Sequence, residues 1–172
     1  MKERTLVMVV KAPVVSDPSD WPDVGSVGIF PVLVEHAVAE HHWHEDEGTR
    51  WIGGNNAGFD IVNTHRRTDA KTAWYGNGKY SDRLCFAAPE HGFDPLKVDF
   101  IAPVVLDNPT ASYSASSSSG GRVVATYETS RLWVIPVDVV NGLLCFHAKG
   151  RSSVELAKIA PYERVRQDGR GG

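Results

Sequence analysis

The sequence predicts an α+β domain, predominantly antiparallel β, built as a sandwich or partly open barrel with one or two short helices. Three observations carry that expectation. Short runs rich in β-branched and aromatic residues recur along the chain, separated by Gly, Pro, Asn and Ser clusters. Asn141-Gly142 lies between Val139-Val140 and Leu143-Leu144, the pair favoured in a two-residue hairpin turn because both positions need positive φ. Helix signals are confined to two segments, 32–43 and about 153–160.

Leu6 to Val15 reads as a first strand that stops at Ser16-Asp17-Pro18-Ser19-Asp20, and residues 21–28 as loop. In 29–44, Pro31 suits a first helical turn, and Val34, Ala37, Val38 and His41 would share one face. A strand would instead put His42 and His44 on one face, but Ala37, Ala39 and the Glu residues favour helix over 32–43. Trp51-Ile52 and Phe59 to Val62 flank the Gly- and Asn-rich stretch 53–58, as a hairpin across 50–65 would. A second turn falls at Gly76-Asn77-Gly78, and Arg83 to Ala88 makes a short strand.

Leu96 to Leu106 alternates as a strand, with Pro103 at an edge position or bulge. Residues 107–121, with Ser114 to Gly121 the richest in Ser and Gly, read as a flexible loop or short linker. Residues 122–148 then read as a three-stranded meander turning at Thr129-Ser130 and at Asn141-Gly142. Ser152-Ser153-Val154-Glu155 matches a capping box, so a helix is expected from about Ser153 to Ala160, before Pro161. The Gly-rich tail 167–172 is expected to fray.

A chain of 172 residues fits one domain, 1–172, and is long enough to bury a core without metal or disulfides. With 18 basic against 21 acidic residues the net charge is −3, and no basic stripe is present, which disfavours nucleic acid as a partner. The apolar run Leu6 to Val10 is too short for a signal-peptide core, and no stretch reaches membrane-spanning length; a cytoplasmic protein with no membrane partner is expected. Cys85 and Cys145 each lie in an apolar run and read as buried free thiols, with a single disulfide between them left open.

The one local cluster suited to chemistry is Glu40-His41-His42-Trp43-His44-Glu45-Asp46-Glu47. Imidazole beside carboxylate is the usual donor set for zinc, iron, nickel or manganese. On a strand, His42 and His44 share a face and Glu47 joins after a turn, giving His42, His44 and Glu47 as metal ligands with Glu45 or His41 as proton carrier. On a helix, His41 and His44 are i, i+3 neighbours and Glu45 is i+4 from His41. The order His42-x-His44, Glu47, Gly53 resembles part of the metal motif of small β-barrel dioxygenase-type folds. Its spacing to Glu47 is shorter than in that motif and no second half surrounds His147, so no family is assigned.

No acyl-transfer elbow and no phosphate loop occurs, and Cys85 lacks the setting of a nucleophile. The function expected first is therefore a non-enzymatic binding protein. It would act on a protein partner, or on a second copy of itself through an unpaired strand edge, with Trp43, Trp51, Trp74 and Tyr75 as aromatic anchors. The alternative is a metal-dependent enzyme of small β-barrel type that uses the cluster from His41 to Glu47.

Overall fold

The described residues build a mixed but mostly antiparallel sheet that, among them, does not close into a barrel. The computed structural model describes residues 3–10, 29–51, 60–63, 66–117, 120–148 and 151–165. In chain order its elements are β1 (Glu3–Val10), α1 (Ile29–Glu45), β2 (Arg50–Trp51), β3 (Ile61–Val62), β4 (Arg67–Tyr75) and β5 (Arg83–Ala87). Then come β6 (Phe100–Ser117), β7 (Gly120–Trp133), β8 (Ile135–Pro136), α2 (Val137–Leu143), β9 (Cys145–Ala148), β10 (Arg151–Glu155), α3 (Leu156–Ile159) and β11 (Glu163–Val165). The α+β expectation holds, with three α-helices rather than one or two among the described residues.

The main path through the sheet runs β1-β7-β6-β4-β5-β10-β9. β4 and β6 pair in parallel, Thr68 opposite Phe100 through Thr72 opposite Val104; the other described pairings are antiparallel. Alternation along β6 and β7 feeds two cores, one on each face of the sheet. Ala102, Val104, Leu132 and Val134 pack beneath α1, against Leu33, Val34, Ala37 and Val38. Ile101, Trp133 and Ile135 face the other way, against Val137 and Val140 of α2, Ile159 of α3 and Phe86 of β5.

The helix expected over 32–43 is present and longer. The hairpin expected over 50–65 is present as a strand pair, Trp51 opposite Ile61, while its turn lies outside the described residues. So do the end of the first strand beyond Val10, the loop 21–28 and the tail 167–172.

Four expectations are corrected. First, the strand expected at Leu96 starts at Phe100: Pro95 sets a turn in which Leu96 N–H donates to Asp94 Oδ1 at 2.9 Å, and Leu96 is 85% exposed. Pro103 falls between the residues of β6 that pair with β8 and those that pair with β7, where its missing N–H removes least.

Second, the Ser/Gly stretch is not a loop. Ser114 to Ser117 and Gly120 to Gly121 belong to the β6–β7 ribbon, with Ser114 opposite Arg122 and Ala115 opposite Gly121. Main-chain pairing with a long partner strand needs no apolar side chains, and Pro109 is accommodated at a register shift between Asp107 and Thr110.

Third, the meander over 122–148 is not formed: β7 runs on to Trp133, α2 takes the place of the second turn, and the third expected strand is present as β9 but pairs with β10. Thr129-Ser130 does not turn: Leu106 faces Thr129 and Val105 faces Arg131, so Ser130 is the extra residue of a bulge. Asn141-Gly142 lies inside α2. Pro136 stands at the N-cap, Asp138 in the first turn complements the helix dipole, and Val137 and Val140 reach the core one turn apart. The Asn141 amide accepts from Phe93 N–H and donates to Phe93 C=O, both at 2.8 Å, which fixes the loop before β6 instead of making a hairpin.

Fourth, Ser152 to Glu155 forms strand β10, not a helix cap. The Ser153 hydroxyl is taken by Arg83 Nε at 2.6 Å and His147 Nε2 at 2.7 Å, and both serines are buried. Helix α3 starts only at Leu156 but ends at Ile159, before Pro161 as expected, and a 3-10 turn over Ala160–Tyr162 follows it.

Candidate metal centre

Helix α1 carries an unusual interior. From Leu33 to Ala39 it is buried around most of its circumference, which is why no clean apolar stripe marks it. Yet this stretch includes Glu35, 6% exposed, and about two turns later His42 is 0% exposed. Each buried polar group must find a partner or carry an energetic penalty.

Three networks supply partners. Glu35 Oε1 accepts from the Trp51 indole N–H at 3.2 Å, and burial raises its carboxyl above the ordinary range despite that bond. Burial first, then the charges of Asp69 and Glu35, push the Asp60 carboxyl up to about 8. Lys71 Nζ neutralises Asp69 from 3.3 Å. In the second network His36 Nδ1 and the buried Tyr127 hydroxyl are 2.6 Å apart, and His36 Nε2 lies 3.5 Å from Glu40.

The third network is the chemically open one. The helix brings His41, His42 and Glu45 together, each offering one atom, all within 4.8 Å of one another. His41 Nε2 lies 3.1 Å from Glu45 Oε1 and His42 Nδ1 3.9 Å from Glu45 Oε2. Neither imidazole nitrogen makes an aligned hydrogen bond, although both atoms are buried. Thr68 of β4 holds the other His42 nitrogen, Nε2, at 3.1 Å, fixing the ring with Nδ1 towards Glu45.

Electrostatics put both rings in the ligand-competent neutral state. His42 is pushed down to about 4, by burial first and then by Arg66 and His41. His41 is also lowered, chiefly by burial. For Glu45 burial acts upward, but the hydrogen bond from Arg66 and the neighbouring cationic groups outweigh it and hold the carboxyl below its usual range. Four ligands around zinc at about 2.1 Å stand roughly 3.4 Å apart, so closing this set on an ion needs side-chain motion on the order of 1 Å. Solvent reaches the site from the Glu45 side, where side-chain exposure is 39%, against 21% for His41 and none for His42.

Of the three ligands expected on a strand, the structure places only His42 in this group; His44 and Glu47 are exposed and lie outside it. The strand premise fails because 29–45 is helical throughout, which separates His42 from His44 by about 200° around the axis. The i+4 relation of Glu45 to His41 is present as expected for a helix.

The aromatic anchors do not form one surface. Trp43 is 53% exposed near the end of α1, while Trp51 is half-buried with its ring 5.6 Å from that of His36. Trp74 and Tyr75 are both partly exposed, but as successive strand residues they point to opposite faces of β4. Cys145 is exposed rather than buried, and Cys85 half-buried. Both face Ser153 from opposite sides of β10, two strand spacings or about 9.6 Å apart, too far for a disulfide.

Sequence reasoning passed over Glu35, Asp60, Asp69 and Arg66. A detectable signal existed for two of them: Glu35 interrupts Val34 to Ala39 and Asp60 interrupts Phe59 to Val62, each a carboxylate inside an apolar run. Among the described residues no helix is long and apolar enough to cross a membrane. No known protein family, curated protein or solved structure matches the chain.

Proposed function

We propose that His41, His42 and Glu45 bind a divalent transition-metal ion and that the protein acts through that ion. The observation that carries this reading is the convergence of two buried imidazole nitrogens on one carboxylate, His41 Nε2 at 3.1 Å and His42 Nδ1 at 3.9 Å from Glu45. A nitrogen lone pair facing a carboxylate oxygen is repulsive unless a proton or a cation lies between them. Two imidazoles and a carboxylate suit zinc or ferrous iron, and three protein ligands leave a position for water or substrate on the solvent side, the arrangement of catalytic rather than structural sites. The chemistry supported is Lewis-acid activation of a bound water or carbonyl.

The test is Co2+ and Zn2+ titration of protein purified without an affinity tag, beside His41→Ala/His42→Ala. Wild type should bind about one equivalent and melt higher with Zn2+, because a ligand bound only by the native state stabilises it by about 2.7 kcal/mol at a hundredfold excess over Kd. The double variant should lose both effects, and His44→Ala should lose neither. A wild type that binds no metal, or a double variant that binds equally, refutes the reading. A second reading, recognition of a protein partner, is favoured by the exposure of Trp43 and Trp74, 53% and 44%. It expects no metal in wild type and an association that weakens when either tryptophan is replaced by Ser.

A further inference from the structure

We infer that Arg66 is a displaceable counter-ion for the α1 site: it holds Glu45 while the metal position is empty and is driven off Glu45 when a cation enters. The inference rests on the metal reading above and concerns how that site is regulated.

Arg66 Nη2 lies 2.6 Å from Glu45 Oε2, the same oxygen that His42 Nδ1 approaches at 3.9 Å. A cation bound to that oxygen would stand about 4 Å from the guanidinium, where like charges repel strongly in a partly buried setting. Ion and guanidinium therefore compete for one carboxylate. The helix cannot yield, because His42 is fully buried and tied to Thr68. The arginine can. Its side chain is 24% exposed, and its main chain closes a turn between β3 and β4, with Arg66 N–H donating to Asn63 Oδ1 at 3.1 Å and Asn63 N–H to Arg66 C=O at 3.0 Å. Its guanidinium carbon also lies 5.4 Å from the Phe100 ring centroid, a contact that does not depend on Glu45.

Two roles for an arginine beside a metal ligand make opposite predictions. An orienting partner keeps its hydrogen bond when the ion binds, so removing it weakens binding. A counter-ion must be displaced, so removing it strengthens binding. Sharing of Oε2 with His42, rather than separate use of Oε1, favours the second. Metal occupancy would then be coupled to the β3–β4 turn, and an acidic group that captures the freed Arg66 would raise metal affinity.

The experiment is Co2+ titration with Zn2+ competition on the full chain, for wild type, Arg66→Gln and Arg66→Lys. Arg66→Gln should bind at least tenfold more tightly than wild type, and Arg66→Lys, which keeps the charge, within about threefold of it. In wild type the NMR signal of the Arg66 guanidinium should lose its exchange protection on adding Zn2+, a readout that does not depend on a variant folding. Equal or weaker binding by Arg66→Gln overturns the inference while leaving the metal reading intact. So does Arg66→Lys binding as tightly as Arg66→Gln, or a guanidinium that stays protected in the loaded protein. Absence of metal from all three proteins overturns the metal reading and this inference with it.

Discussion

Replacing Gly142 by Ala separates two structures for the same dipeptide. In a hairpin, Gly142 would need positive φ, and a side chain there would destabilise by about 1 kcal/mol or more. In the structure Gly142 lies in α2, is exposed, and has no positive φ; a Cβ built there meets nothing within 4 Å. Gly costs up to about 1 kcal/mol relative to Ala in a helix interior, but position 142 is in the last turn, so about half of that is recovered. The expected effect is a gain of about 0.5 kcal/mol, or roughly 1–2 °C in Tm for a domain of this size. Urea unfolding monitored by tryptophan fluorescence and a thermal melt should agree in sign. A loss of 1 kcal/mol or more would refute the helix, and with it the argument that Pro136, Asp138 and the one-turn spacing of Val137 and Val140 override the Asn-Gly signal.

Asn141→Ala should cost about 2 kcal/mol, because both hydrogen bonds to Phe93 are lost and its main-chain groups are left part-buried; a change below 0.5 kcal/mol in urea unfolding would show that the loop holds itself. The Asp60 carboxyl is raised to about 8 in the fold against 3.8 in the unfolded chain, so the native state binds the extra proton between those values and stability should fall as pH rises from about 4 towards 8, by at most about 1.4 kcal/mol per unit, and level off above 8. Asp60→Asn should flatten that fall in urea-derived stability between about pH 5 and 8; an unchanged slope would place the proton elsewhere. His42 acts in the opposite sense: its stability contribution is complete above 6.5 and is lost as pH falls towards 4, so His42→Gln should flatten the acid side, read by the same assay below pH 6.5.

The sequence made legible what is periodic or strongly coded. Helix α1, the pairing of Trp51 with Ile61 and strand β5 follow from propensity and pattern, and so does the α+β class. It misled where a local signal had a stronger tertiary competitor. Asn141-Gly142 is a hairpin signal only if its side chain is unengaged, and here Phe93, forty-eight residues away, engages it. Ser152-Ser153 would cap a helix only if its hydroxyls were free, and Arg83 and His147 take the one on Ser153. The Ser/Gly stretch reads as flexible from its side chains, whereas a ribbon is held by main-chain pairing. At the proposed site, composition singles out residues 40–47, and the choice among them depends on secondary structure. A period of two selects His42 and His44; a period of 3.6 selects Glu45 with His41 and His42.

The polar interior of α1 bears on function through its cost. A buried polar atom without a partner destabilises by about 1–3 kcal/mol, and His42 Nδ1, 3.9 Å from Glu45 Oε2, is such an atom. That sets a cost of this order against a net stability of only about 5–15 kcal/mol for a typical domain. An apolar residue in place of His42 would fill the same space between α1 and β4 without that cost, at the loss of one contact to Thr68. A purely structural account has to explain why His42 turns an unbonded nitrogen towards a carboxylate that an arginine already neutralises. A cation bound there, as proposed, would satisfy that nitrogen and replace the positive charge on Glu45 in one step.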